Sequence, residues 1–171
     1  RDYYASRGLG DVYKRQYQYA AEHSRHSLCF NGDIHSVGAY EQLRQMFPMT
    51  EKVMLGRGIL QNPGLVGELQ RVEAQFEAKD SDTPVGSKKC NVVDKQTLRA
   101  FHDDICDGYK DVMSGDRNTL FKMKELWCYM SKSFTNPEKY LKKIKKTERL
   151  AEYYVIVDTL FREQELQQEW S

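Results

Sequence analysis

Two short apolar runs constrain this chain more than anything else in it. SLCF at 27–30 runs into NGDI, and KVML at 52–55 runs into GRG. Each run has the length of a buried strand, and each meets a loop in which glycine flanks a charged residue. An amphipathic helix should follow each loop. Ser36 stands as an N-cap before Val37, Tyr40, Leu43 and Phe47, and Pro48 closes that helix. Asn62-Pro63 opens the second helix, whose buried face is Leu65, Val66, Leu69 and Val72. Strand, loop and helix, repeated once, predict two parallel βα units. Two such units leave strand edges unpaired and a sheet face uncovered. The pair is therefore expected to be the end of a larger sheet or barrel.

The pattern changes after 79–93, KDSDTPVGSKKCNVV, a polar Pro- and Gly-bearing linker. From there it predicts helices only. Asp94 caps a helix bearing Leu98, Phe101, Ile105, Tyr109 and Val112, ended by Ser114-Gly115. A helix over about 117–134 carries Leu120, Met123, Leu126, Trp127, Met130 and Phe134. Asn136-Pro137 starts a third with Tyr140, Leu141 and Ile144, and Thr147 caps a fourth with Leu150, Tyr153, Val157 and Leu160. The fold class is thus α/β followed by all-α, with a helical bundle over 94–171. Residues 17–24 read as the tail of a helix ahead of the barrel segment 17–78. Residues 1–16, RDYYASRGLGDVYKRQ, lack an initial Met and show no apolar stripe, so they are expected to be a non-native leader outside the fold.

Of the 171 residues 40% are hydrophobic and 30% charged, and the net charge is +1, so any binding of a polyanion has to be local. No apolar run is long enough for a membrane span. Cys29, Cys90, Cys106 and Cys128 form no CxxC, and no Cys/His set has zinc spacing, so no metal is expected and the thiols read as reduced, in a cytoplasmic protein. His23, His26, His35 and His102 read as solvated or structurally satisfied.

The loops after the last strands of a barrel commonly bind phosphate. Glycines allow the backbone close to an anion, and a guanidinium can grip phosphate through two hydrogen bonds. Gly56, Arg57 and Gly58 suit that role, with Arg57 the phosphate partner. Asp33 does not, since a carboxylate repels phosphate, and is expected to cap the next helix or hold a loop amide. Glycines that merely form tight turns remain the alternative, and spacing alone does not name a ligand.

CFNGDIHSVGAYEQL and KVMLGRGILQNPGLVGEL resemble the end of the flavin-binding barrel of the tRNA-dihydrouridine synthases. LRAFHDDICDGYKDVMSGDRNTLFKMKELWCYM resembles their C-terminal helical domain. The resemblance implies that the two βα units are the last of a (β/α)8 TIM barrel, with FMN as cofactor, NADPH as reductant, tRNA as partner and reduction of uridine to dihydrouridine as the reaction; a monomer is expected. It assigns Asn31, Gly32 and Asp33 to one FMN loop and Gly56 and Arg57 to the other. It places the proton-donating cysteine on an earlier strand loop, so no catalytic residue is expected within this stretch. Gly64 stands where the family usually has Trp.

Between Asp116 and Arg149 ten Lys/Arg oppose four acidic residues. Such a concentration suits a nucleic-acid backbone, although a merely solvated helix face would look the same. The resemblance assigns tRNA contact to Arg117, Lys122 and Lys124. Two other functions stay open from sequence: another FMN-dependent barrel oxidoreductase acting on a small molecule, and a non-enzymatic helical RNA-binding module.

Overall fold

The computed structural model describes residues 2–79 and 93–167, with side chains over 13–76 and 93–167. Helix α1 spans Asp2–His23, β1 Cys29–Phe30, α2 Val37–Met46, β2 Lys52–Val53, α3 Arg57–Gln61 and α4 Leu65–Lys79. The second part holds α5 Lys95–Val112, α6 Asp116–Met130, a 3₁₀ turn Ser131–Ser133, α7 Glu138–Lys146 and α8 Leu150–Glu163. The linker expected at 79–93 lies, apart from its two ends, outside the described residues.

The strands pair in parallel, Cys29 with Lys52 and Phe30 with Val53, and the Met54 amide extends the ladder to the Phe30 carbonyl at 2.8 Å. Both are shorter than the apolar runs that contain them. Among the described residues each strand has only the other as ladder partner, and Cys29 and Lys52 are exposed. The core of this part lies at one end of β1, where the Tyr17 ring meets Phe30 and Phe47 edge to face. The Tyr17 hydroxyl shares a hydrogen bond of 3.1 Å with Thr50. On the other side the Tyr40 hydroxyl donates to Glu73, which also receives Arg44 at 3.0 Å, so α2 is fastened to α4. Burial and that carboxylate push the Tyr40 phenol up to about 12.

The sequence set residues 1–16 apart, but α1 runs unbroken across that boundary, and Tyr13 packs edge-on against Phe30. The expected buried face of α4 holds at Leu65 and Leu69 but not at Val66, which is 41% exposed. The short helix α3 between β2 and α4 carries no sequence signal of its own, being a single turn. Asn62, fully buried, ends α3 and accepts the Gly64 amide at 3.0 Å, so α4 begins two residues after the Pro.

In the bundle the apolar stripe of α5 is rotated from the expected one. The buried positions are Leu98, His102 and Cys106, while Val112 is 78% exposed. A polar chain accounts for the rotation. Trp127 Nε1 donates to the Tyr153 hydroxyl at 2.6 Å, and that hydroxyl lies 2.6 Å from His102 Nε2. His102 Nδ1 lies 2.8 Å from Asp103, which also receives Arg99. One orientation satisfies every member: Trp donates to Tyr, Tyr to neutral His, and His to carboxylate. Trp127 is wholly buried, as its place in the apolar stripe predicts.

Three boundaries differ from expectation. Gly115, at φ +82, is the N-cap of α6 rather than the terminator of α5. Helix α6 stops at Met130, and Phe134 is extended, bridged to Leu166. Thr147 closes α7, and α8 begins at Leu150.

Tyr153→Phe leaves the Trp127 N–H and His102 Nε2 buried without partners, at a cost of about 2–4 kcal/mol. Urea unfolding measures it, and a change below about 0.5 kcal/mol would remove the network from the account. Burial holds His102 below the usual histidine range, so the folded state binds fewer protons than the unfolded chain. Stability is therefore full above about pH 6.5 and declines as the pH falls below it. A flat unfolding profile between pH 7 and pH 5 would show that folding does not depress the pKa of His102.

Candidate functional site

Parallel pairing puts the carboxyl ends of β1 and β2 at the same edge, so the loops that follow them lie side by side. The first runs from Asn31 to Ser36. Ser36, extended at φ −148, caps α2 by accepting the Ala39 amide at 3.3 Å. The second runs from Met54 to Gly56, and Arg57 opens α3. Gly58 holds the two loops together: a Cβ there would overlap the Ile34 carbonyl oxygen and lie 2.9 Å from Leu65. Gly32 has a similar constraint, since a Cβ would run into the Phe30 ring. In both cases glycine is required by close approach of other atoms; neither has a positive φ.

Arg57 donates to Asp33, and this pair joins the two loops at the cleft. Asp33 is thus neither the cap of α2, which is Ser36, nor the holder of a loop amide; the correction follows from the parallel register, which brings residues 24 apart in sequence together. The pair is open to solvent, with side chains 53% and 61% exposed, so a stronger anion can compete for the guanidinium at small cost.

The cleft between the loops and α1 has a volume of about 420 Å³ and is walled by Tyr13, Phe30, Asn31, Gly32, Asp33 and Arg57. Of the loop residues singled out in the sequence, Asn31, Gly32, Asp33 and Arg57 line it, whereas Gly56 and Gly58 do not, Gly56 being the N-cap of α3. Tyr13 was missed, because it sits in the stretch set aside as leader. Its hydroxyl accepts the Asn31 amide at 3.2 Å, fixing the start of the first loop. No local sequence signal marks it; only its approach to Phe30 does.

His35 is the second residue missed. Its Nε2 lies 3.7 Å from Asp33, and its Nδ1 is buried without a hydrogen-bond partner among the described residues. Burial lowers its pKa, Asp33 opposes that, and Lys132 and Arg57 lower it further. Lys132 belongs to the 3₁₀ turn after α6. Ser133 beside it is buried and donates to the Gln61 carbonyl at 2.6 Å, joining the bundle to α3.

The three basic residues expected to touch RNA have separate fates. Arg117 is exposed. Lys122 pairs with Glu125 at 3.0 Å. Lys124 is half-buried and donates to the Thr147 carbonyl at the end of α7, where a cation complements the helix terminus. The larger exposed set is on α7 itself: Lys139, Lys142, Lys143, Lys145 and Lys146 all face solvent, while Tyr140 and Ile144 are buried. Among the described residues no group of three or more metal-ligating side chains occurs, no cysteines are paired, and no helix is long and apolar enough to cross a membrane.

A parallel βα pair with a glycine-bearing cleft at its carboxyl edge, joined to a basic helical bundle, suits an enzyme that holds a phosphorylated cofactor beside a nucleic acid. The family model for dihydrouridine synthase matches residues 13–154, and the chain belongs to that family. Curated proteins offer no match. The family is in general FMN-dependent and acts on tRNA. The matched span begins at Tyr13, which lines the cleft.

Gly58→Ala should cost about 1–3 kcal/mol by forcing the loops apart. Asp33→Asn should change stability by less than about 1 kcal/mol, because its partner is exposed. Thermal unfolding of the two variants checks both, and a larger loss for Asp33→Asn would restore a structural role to that carboxylate.

Proposed function

We propose that this chain supplies the last two βα units of the (β/α)8 barrel and the helical tRNA-binding domain of a tRNA-dihydrouridine synthase. In this reading the cleft holds the phosphate end of FMN. Asn31, Gly32 and Asp33 form one side of its cradle, and Gly56 and Arg57 the other. The observation that carries the reading is the convergence of Arg57 and the glycine-bearing loop 31–33 at the carboxyl edge of two parallel strands. A dissociable guanidinium, two positions that exclude a Cβ and a wall of aromatic rings fit a phosphate with an attached planar ring system.

When bound, FMN supplies a hydride to one carbon of the uracil double bond. The chain's own contribution is positional. Arg57 exchanges Asp33 for a phosphate, and Tyr13 and Phe30 keep bulk water from one side of the cleft. The bundle offers the exposed lysines of α7, with Arg117 and Lys122, to the RNA backbone, while Lys124 keeps the end of α7 in place. NADPH serves as the reductant, and the protein works as a monomer in the cytoplasm. No described cysteine occupies the cleft, so the proton donor is assigned to none of them.

Arg57→Ala removes the guanidinium donor to the phosphate and should lower FMN affinity by about tenfold or more. Flavin absorbance of the purified protein reads this directly. Undiminished flavin content would remove the phosphate role from Arg57.

A further inference from the structure

We propose that Lys14 of α1 is a second phosphate donor of the cleft, acting with Arg57 on the two negative charges of a phosphomonoester. The inference rests on the reading of the cleft as the seat of the FMN phosphate and adds to it a side chain from outside the two strand loops.

The fold puts Lys14 there through its neighbours on the helix. The Tyr13 hydroxyl accepts the Asn31 amide at 3.2 Å, and the Tyr13 ring meets Phe30 edge-on with centroids 5.7 Å apart. One turn later Tyr17 packs on the same Phe30 ring at 4.9 Å. Residues three and four apart share a helix face, so Tyr13, Lys14 and Tyr17 lie on the side of α1 that meets β1 and its loop. The two tyrosines fill the contact with Phe30. Lys14 lines the cleft together with Asn31, Gly32, Asp33 and Arg57. Arg15 and Gln16, which follow it and are also exposed, are not part of that wall.

Charge decides what such a wall can take. Three charged side chains line the cleft: Lys14, Arg57 and Asp33. Arg57 is engaged by Asp33. Lys14 is exposed and has no ion-pair partner among the described residues, so the wall carries one positive charge over. A phosphomonoester carries close to two negative charges at pH 7. Arg57 can answer one of them, and only by giving up Asp33. The Lys14 ammonium answers the other, as a point charge on a flexible stem that needs no planar match. A flavin without its phosphate offers these two cations no anion and meets chiefly the apolar part of the wall, Phe30, Leu43 and Phe47.

The test compares FMN with riboflavin, which lacks only the phosphate, binding to the full chain freed of flavin, with dissociation constants read from flavin fluorescence. The wild type should bind FMN more tightly than riboflavin. Lys14→Ala, a substitution that a helix accepts at an exposed position, should weaken FMN by about tenfold and leave riboflavin within about twofold. Lys14→Arg should keep the affinity for FMN. Unchanged FMN affinity in Lys14→Ala, with Arg57→Ala weakened, overturns this inference and leaves the functional reading standing. Equal weakening of both ligands by Lys14→Ala assigns the side chain to the flavin ring or to the packing of α1, which also overturns it. A wild type that binds FMN no better than riboflavin overturns the phosphate reading of the cleft itself, and this inference with it.

Discussion

The parallel register of two very short strands governs the site. The ladder has two paired positions, Cys29 with Lys52 and Phe30 with Val53. By itself a ladder of that length is marginal. It persists because neighbouring side chains fix both ends. Tyr17 and Phe47 pack around Phe30, and Gly58 lets α3 press against the Ile34 carbonyl. Once that register is set, Asp33 and Arg57 meet and the cleft has its two walls. A shift by one residue would turn the apolar side chains to the opposite face and separate the pair.

The helical bundle rests on a different kind of constraint. Its center holds Trp127, Tyr153 and His102, three large side chains with polar atoms, all fully buried. Buried polar groups destabilise unless each is paired, so only a bundle geometry that aligns all of them is accessible. This makes α5, α6 and α8 a rigid platform. The platform matters because the 3₁₀ turn that follows α6 carries Ser133 to Gln61. Order in the bundle is thereby passed to α3.

The charge distribution suits the same division. The excess of cations lies on α7 and on the turn after α6, away from the apolar core, and several are unpaired. The Asp33 carboxylate at the cleft is engaged by Arg57, and Glu73 between α2 and α4 by Arg44 and Tyr40. A protein of nearly zero net charge thus has a local basic surface, which is what a phosphate backbone requires.

The sequence by itself determined the order of β1, α2, β2 and α4 and of the helices after the linker, the parallel βα character of the first part, the helical character of the second and the residues of both loops. Those features depend on periodicity, caps and glycine spacing, which are local. It also determined that Trp127 belongs to the core, since the stripe of α6 is regular. Tertiary structure alone decided the rest. Tyr13 joins the cleft through a contact with a strand far along the chain. Asp33 pairs with Arg57 because the strands align, although its local context suggested a cap. Lys124 turns inward to the end of α7, and the stripe of α5 rotates to bury His102, because partners on other helices satisfy their polar atoms. His35 stands apart in both respects: nothing in its sequence context distinguishes it, and in the fold its Nδ1 is buried without a hydrogen-bond partner among the described residues. Contacts between residues distant in sequence leave no periodic trace, so only the folded chain reveals them.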